Sequence, residues 1–312
     1  MTLWWVLFTI FILAMLALDL GVINRKAHVI KMKEALVWTA FWVSLSVAFG
    51  IGVYSFYGHA KAMEYFAGYL IEYSLSVDNL FVFMLIFKYF GVPRQLEHKA
   101  LFWGILLALV TRAVFILAGV ALINTFHWII YVFGIFLVYT GVKMALNKQT
   151  EVHPDRNIAI RLLRFFVPVS GRFRGAKFFV VKKGIRFATP MLAVVLALET
   201  TDILFAIDSI PAVLAITKDP FIVYTSNVFA ILGLRSLFFA ISGLMQLFHL
   251  LHYGLAAILT FVGVKMLIED FFHIPVTASL IVIASVLAAS IISSIIWPAE
   301  KTDEVPPVAL KE

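Results

Sequence analysis

The sequence contains no cysteine. That excludes disulfide frameworks, thiolate metal sites and thiol nucleophiles, and it leaves the redox compartment unreadable. Charge is scarce too: 14% of the 312 residues are Asp, Glu, Lys or Arg, against 62% hydrophobic, and mean hydropathy is +1.00. A soluble domain of this length could not cover so much apolar surface with so few charges. The chain therefore reads as an all-α, polytopic membrane protein. No "GxxxxGK[ST]" phosphate loop occurs, which removes ATP as a direct driver, and no intramembrane His-x-x-His or Cys set of the kind zinc and copper recruit. Nor does a basic residue precede the first apolar run. Its positive cluster, Arg25, Lys26, Lys31 and Lys33, comes afterwards, the reverse of a cleaved signal peptide.

What is present is a series of apolar runs near residues 3–23, 34–57, 66–90, 99–123, 128–147, 190–215, 222–247, 253–270 and 276–297, which predicts nine spanning helices. Basic residues crowd the first, third and fifth connections, with ten Lys/Arg between Lys148 and Arg186, while the even connections hold only Lys61 and Lys218. The positive-inside rule then predicts an inner or plasma membrane protein with its N-terminus outside and C-terminus in the cytoplasm. The net charge of +7 is accordingly read as topology plus contact with anionic lipid, not as a nucleic-acid surface. Residues 148–189 form a basic cytoplasmic connector, within which "NIAIRLLRFFVPV" from Asn157 reads as an amphipathic helix on the inner membrane surface. A soluble or membrane protein partner docking there is the other use of such a segment. The tail 298–312 is polar and Pro-containing and reads as disordered.

The two halves of the chain match one another. "IYVFGIFLVYTGVKMAL" (Ile130 to Leu146) aligns without a gap on "HYGLAAILTFVGVKMLI" (His252 to Ile268), sharing Gly-Val-Lys-Met. Working back from that anchor, Arg112 meets Arg235, and Asp78 in "VDNLFVF" meets Asp202 in "TDILFAI". Each copy holds three helices, an odd number, so the copies enter the membrane from opposite sides, as in secondary transporters. The expected organisation is two N-terminal helices (1–60), a first three-helix repeat (61–147), the connector (148–189), an inverted repeat (190–270) and a last helix (271–297).

Six acidic residues read as intramembrane: Asp19, Glu72, Asp78, Glu199, Asp202 and Asp208. Each costs about 2.5–3.5 kcal/mol on insertion scales, too much for decoration. Glu72, Ser76 and Asn79 share one helix face, and Glu199, Asp202 and Ser209 another, whereas Thr201 and Asp208 lie roughly opposite the latter. Pro211 lacks the amide that would bond Ile207, so a kink or unwinding near Ile207 to Ile210 is expected, swinging Asp208 inward. Like charges this close need a cation or protons to hold them. Oxygen-only ligands suit Mn²⁺, Mg²⁺ or Ca²⁺. Arg112 and Arg235, at matching depths, must be paired; each is read as an ion-pair partner of the acidic helices, or as a competitor of the cation for Asp78 or Asp202. Lys143 and Lys265 are expected to snorkel from helix ends.

At "GYLIEYSLSVDNLFVF" (Gly68 to Phe83), "ALETTDILFAIDSIPAVLA" (Ala197 to Ala215) and "DPFIVYTSNVFAILGLR" (Asp219 to Arg235) the sequence resembles the TerC family of integral membrane proteins, and within it the Alx-type manganese exporters. The resemblance implies membership of the wider LysE-like transporter superfamily and export of Mn²⁺ from the cytoplasm. It also implies a metal site falling here on Glu72, Asp78, Asn79, Glu199, Asp202, Asp208 and Ser209, with Asp19, Ser76, Thr201, Arg112 and Arg235 in proton, gating or supporting positions. The expectation is a transporter, not an enzyme, without a prosthetic group, whose partners are a divalent ion, protons and anionic lipid. Two alternatives stand beside it. One is an intramembrane enzyme using paired aspartates, against which the missing Gly-x-Gly-Asp signature counts. The other is a non-transporting membrane partner in tellurium or pH stress; an acidic cavity should itself repel the tellurium oxyanion.

Overall fold

The structure is a computed structural model that describes residues 2–18, 32–126, 128–146, 172–182, 185–241 and 250–297, with isolated positions between 163 and 170. Asp19, nearly all of the amphipathic stretch from Asn157 and the tail 298–312 lie outside the described residues. The elements are α1 (Thr2–Leu18), α2 (Met32–Phe90), α3 (Arg94–Thr125), α4 (Ile129–Leu146), β1 (Phe179–Lys182), β2 (Ile185–Ala188), α5 (Pro190–Leu214), α6 (Pro220–Ile241), α7 (Leu251–Ile268) and α8 (Val276–Ile296). Seven of these helices are long and apolar enough to cross a bilayer, and α1 is a shorter apolar helix. The chain is thus a polytopic, all-α membrane protein. Reaching the expected nine spans requires counting α1 and splitting α2.

That split has a physical basis. A straight helix of 59 residues would extend roughly 88 Å, far beyond one bilayer. It is broken at Gly58, whose φ of 84° and ψ of 177° belong to a region that only glycine visits readily. The two arms, 32–57 and 59–90, then fold back on each other. Ser46 and Tyr65, 19 positions apart, bring their hydroxyls to 2.8 Å, and Phe49 and Tyr65 pack at 5.4 Å between ring centroids.

Helix α6 is buried along nearly its whole length, the behaviour of a central helix. Asp219 starts it by accepting the amides of Phe221 (3.0 Å) and Ile222 (3.4 Å), with Pro220 in the first turn, where no donor is lost. α1 lays Trp5 and Phe8 against Phe221, Tyr224 and Phe229 of α6. α4 and α7 cross closely through small residues. A β-carbon on Gly141 would lie 2.8 Å from the carbonyl of Ala256, and one on Gly263 the same distance from the carbonyl of Gly134. Large apolar residues such as Val110, Ile135 and Ile281 line the outside, as a lipid-facing surface requires.

The hairpin of β1 and β2 was not expected. Its register pairs Phe179 with Ala188 and Val181 with Arg186, and Phe178 beside it stacks edge-on against Trp103 of α3 at 5.4 Å. The run "FVVK…IRFA" carries the β-branched and aromatic residues of a short hairpin, a signal outweighed by reading the segment only for charge.

Candidate functional site

The apolar interior is interrupted where α2, α3, α5 and α6 meet. On α2, Glu72 and Ser76 are one helical turn apart and Asn79 follows on the same face; all three are buried. On α5, Glu199, Asp202 and Ser209 form a buried polar stripe. Asn227 lies within α6, its amide donating to the carbonyl of Val223 at 3.0 Å, which leaves its side-chain oxygen free to face inward.

Arg112 of α3 enters this cluster with 1% of its surface exposed and ties the other three helices to its own. Its Nη1 donates to Glu72 Oε1, to Ser209 Oγ at 3.2 Å and to Asn227 Oδ1 at 3.1 Å. Its Nη2 donates to Asp202 Oδ1 at 3.1 Å and its Nε to Oδ2 of the same carboxylate at 3.4 Å, a forked grip that suits the planar guanidinium. Ser76 adds a hydroxyl donor to Glu72 Oε1 at 3.3 Å. The other Glu72 oxygen, the amide nitrogen of Asn79 and both carboxylate oxygens of Glu199 are buried without a hydrogen-bond partner. Buried polar atoms are nearly always satisfied, so four orphans in one region need a reason. Glu199, Asp202 and Arg235 border a cavity of about 20 Å³ that Leu101, Gly104, Ile105 and Ala108 of α3 also line. It has room for one water-sized body.

Other expected site residues stand elsewhere. Asp78 is half-buried, its Oδ1 4.0 Å from Nδ1 of His252, whose other ring nitrogen lies 2.5 Å from the carbonyl of Met144. Asp208 faces α4, where Thr140 Oγ1 lies at 3.5 Å. Thr201 uses its hydroxyl on the carbonyl of Ala197 at 2.8 Å. The expected unwinding near Ile207 to Ile210 is absent, since α5 is helical through Pro211 to Leu214. One missing amide near a helix end is tolerated in such a setting, and the unbroken helix keeps Asp208 about 120° from Asp202. Lys265 does not snorkel: it is buried and donates to the carbonyl of Ala215 at 3.3 Å, capping the C-terminal end of α5. Lys143 is exposed, 5.8 Å from the ring centroid of Tyr139.

The structure therefore brings together Glu72, Ser76, Asp202, Ser209 and Arg112, places Glu199 and Arg235 at an adjoining cavity, and holds Asp78, Asp208 and Thr201 apart. Among the described residues no three His, Cys, Asp or Glu side chains form a ready-made metal site. Asn227, His252 and Thr140 were not anticipated. Asn227 had a signal, since it is a lone amide in the apolar run "TSNVFAIL". A second polar cluster closes the turn between α5 and α6: Lys61 bridges Glu64 at 2.7 Å and Asp219 at 3.5 Å, and Thr217 donates to Glu64 at 2.5 Å. It borders a cleft of about 570 Å³ that Glu269 also lines.

Comparison with known proteins covers nearly all of these elements. An "Uncharacterized membrane protein STKORF319" of Myxococcus xanthus is 53% identical over 292 residues, 94% of this chain and 92% of that one. A protein of Escherichia coli (strain K12) named "Putative membrane-bound redox modulator Alx" is 44% identical over 297 residues, 92% of each. A protein of the same name from Photorhabdus laumondii is 43% identical over 300 residues, covering 93% of this chain and 94% of that one. No solved structure matches. The model of the family described as "Integral membrane protein TerC family" matches residues 57–302, from the break in α2 to beyond α8, and the chain belongs to that family.

Proposed function

We propose that the protein is a secondary transporter that exports divalent manganese from the cytoplasm in exchange for protons. The observation that carries this reading is the excess of carboxylates in the apolar interior. Among the described residues, Glu72, Glu199, Asp202, Asp78 and Asp208 stand against Arg112 and Arg235 at that depth, and Glu199 holds no ion pair. A buried carboxylate without a partner costs several kcal/mol, so the set is made for charge that comes and goes. A dication and protons are the two forms that charge can take. Glu72 and Asp202 lead the ligand set, with oxygens from Ser209, Asn79 and Asn227 in support; such donors fit Mn²⁺, Mg²⁺ or Ca²⁺, and the family resemblance favours Mn²⁺.

The reading of two inverted repeats draws support from the α4–α7 crossing. In the alignment Gly134 corresponds to Ala256 and Gly141 to Gly263. Gly134 packs on Gly263, and Gly141 packs on Ala256, so the correspondence exchanges one contact for the other. That is the behaviour of an approximate two-fold axis, on which alternating access between repeats depends. Exporting a dication against about 100 mV, inside negative, costs about 4.6 kcal/mol; two or more inward protons on the same carboxylates can supply it. Although curated relatives bear a redox name, this chain has no cysteine, so it carries no thiol couple of its own. Metal content of cells lacking or overproducing the protein tests the proposal. Manganese should rise on loss and fall on overproduction, and overproduced Asp202→Asn should leave it unchanged; an identical response with Asp202→Asn removes the site from the account.

A further inference from the structure

We infer that Arg112 is a tethered cation that fills the dication's place when the site is empty, and that Glu199 is the second carboxylate to which it withdraws when the dication binds. The inference rests on the transport reading above and assigns Glu199 a role distinct from that of a metal ligand. Its first support is what Arg112 now does. It occupies the oxygens of Glu72, Asp202, Ser209 and Asn227, and these, on hard-cation chemistry, are the oxygens a divalent ion needs. No dication can join them while the guanidinium remains, and no ready-made trio of ligands exists among the described residues.

The second support is Glu199. It is 9% exposed and holds no ion pair among the described residues, the Thr111 hydroxyl of α3 being the polar side chain nearest it. It sits one helical turn before Asp202 on the same face of α5, roughly 4.5 Å along the axis. Both border the cavity of about 20 Å³, whose α3 wall is made by Leu101, Gly104, Ile105 and Ala108. Ala108 lies one turn before Arg112 on α3. Long helical side chains lean toward the N-terminal turn of their own helix, so this is the direction in which Arg112 can extend. Carrying the guanidinium from Asp202 to Glu199 is a shift of about one helical turn, roughly 4–5 Å, and requires the cavity wall to give way, because its free space holds one water. Arg235 borders the same cavity from α6. The exchange keeps the guanidinium paired in both positions, so neither state strands a buried positive charge.

A double-substitution cycle on the full-length, detergent-purified protein tests this, with Mn²⁺ alone as the probe and equilibrium binding as the measurement. Glu199→Gln removes the second station and should weaken Mn²⁺ binding at least tenfold when Arg112 is present. Arg112→Gln should tighten binding by a similar factor. In Arg112→Gln the further change Glu199→Gln should alter affinity less than twofold, because no guanidinium remains to be housed. An equal loss from Glu199→Gln in both backgrounds makes Glu199 a direct ligand and overturns the inference, while leaving export intact. If neither wild type nor Arg112→Gln binds Mn²⁺, the transport reading itself fails. Should Arg112→Gln not fold, a structure of the Mn²⁺-loaded wild type decides: Arg112 hydrogen-bonded to Glu199 supports the exchange, and Arg112 still on Asp202 with the metal bound overturns it.

Discussion

Replacing Arg112 by Gln removes the cation that holds Glu72 and Asp202 together, and the structure sets the size of the effect. Five hydrogen bonds end on four side chains from three other helices, and the guanidinium is 1% exposed. Bonds to charged groups contribute about 1.5–3 kcal/mol each, but they are not additive, since one side chain makes them all. The better guide is that breaking a buried ion pair from one side costs about 3–5 kcal/mol, because a charge is left uncompensated. We therefore expect Arg112→Gln to lose about 3–5 kcal/mol in reversible unfolding in mixed micelles. Protons can neutralise the stranded carboxylates, so the deficit should shrink as pH falls. Adding Glu72→Gln and Asp202→Asn to the same chain removes the stranded charges and should recover most of the loss. A loss below about 1 kcal/mol for the single change, or a triple variant as unstable as the single one, would refute the reasoning that Arg112 neutralises this pair.

Other consequences concern the backbone. Gly141→Ala places a methyl group 2.8 Å from the carbonyl of Ala256 and should cost about 1–3 kcal/mol by thermal unfolding, while Gly52→Ala, with nothing within 4 Å, should be neutral or stabilising by up to about 1 kcal/mol. Gly58→Ala also meets no atom within 4 Å, yet its φ of 84° should still cost about 1–3 kcal/mol in the same measurement. Ser46→Ala breaks the hydroxyl contact between the arms of α2 at a cost of about 0.5–1.5 kcal/mol, because Tyr65 keeps the carbonyl of Ser46 as an acceptor at 3.2 Å.

Much of this was legible in the sequence, and the reasons differ by residue. Membrane class and helix positions followed from apolar runs, because the bilayer fixes their length. The faces of Glu72 with Ser76, and of Glu199, Asp202 and Ser209, followed from helical angles, which hold whatever the helices pack against. The need to pair Arg112 followed from the cost of burying it. What angles could not give was the rotation of each helix about its axis in the bundle. That rotation sent Asp78 toward His252 and Asp208 toward Thr140, away from Arg112. Pro211 did not unwind α5, because the loss of one amide near a helix end is tolerated where neighbouring helices pack around it. Lys265 misled because its position near a helix end implied water within reach, whereas the end of α5 covers it and offers a carbonyl.

The central claim is that carboxylates gathered in the apolar interior carry a dication across the membrane. Its most direct test is Mn²⁺ flux into liposomes containing the purified full-length protein and an internal Mn²⁺-sensitive dye, with and without an imposed pH gradient. The account predicts flux that a proton gradient opposite to the metal's movement accelerates, and that Asp202→Asn or Glu72→Gln abolishes. Flux unchanged in both variants, or none in the wild type at any gradient, would contradict it.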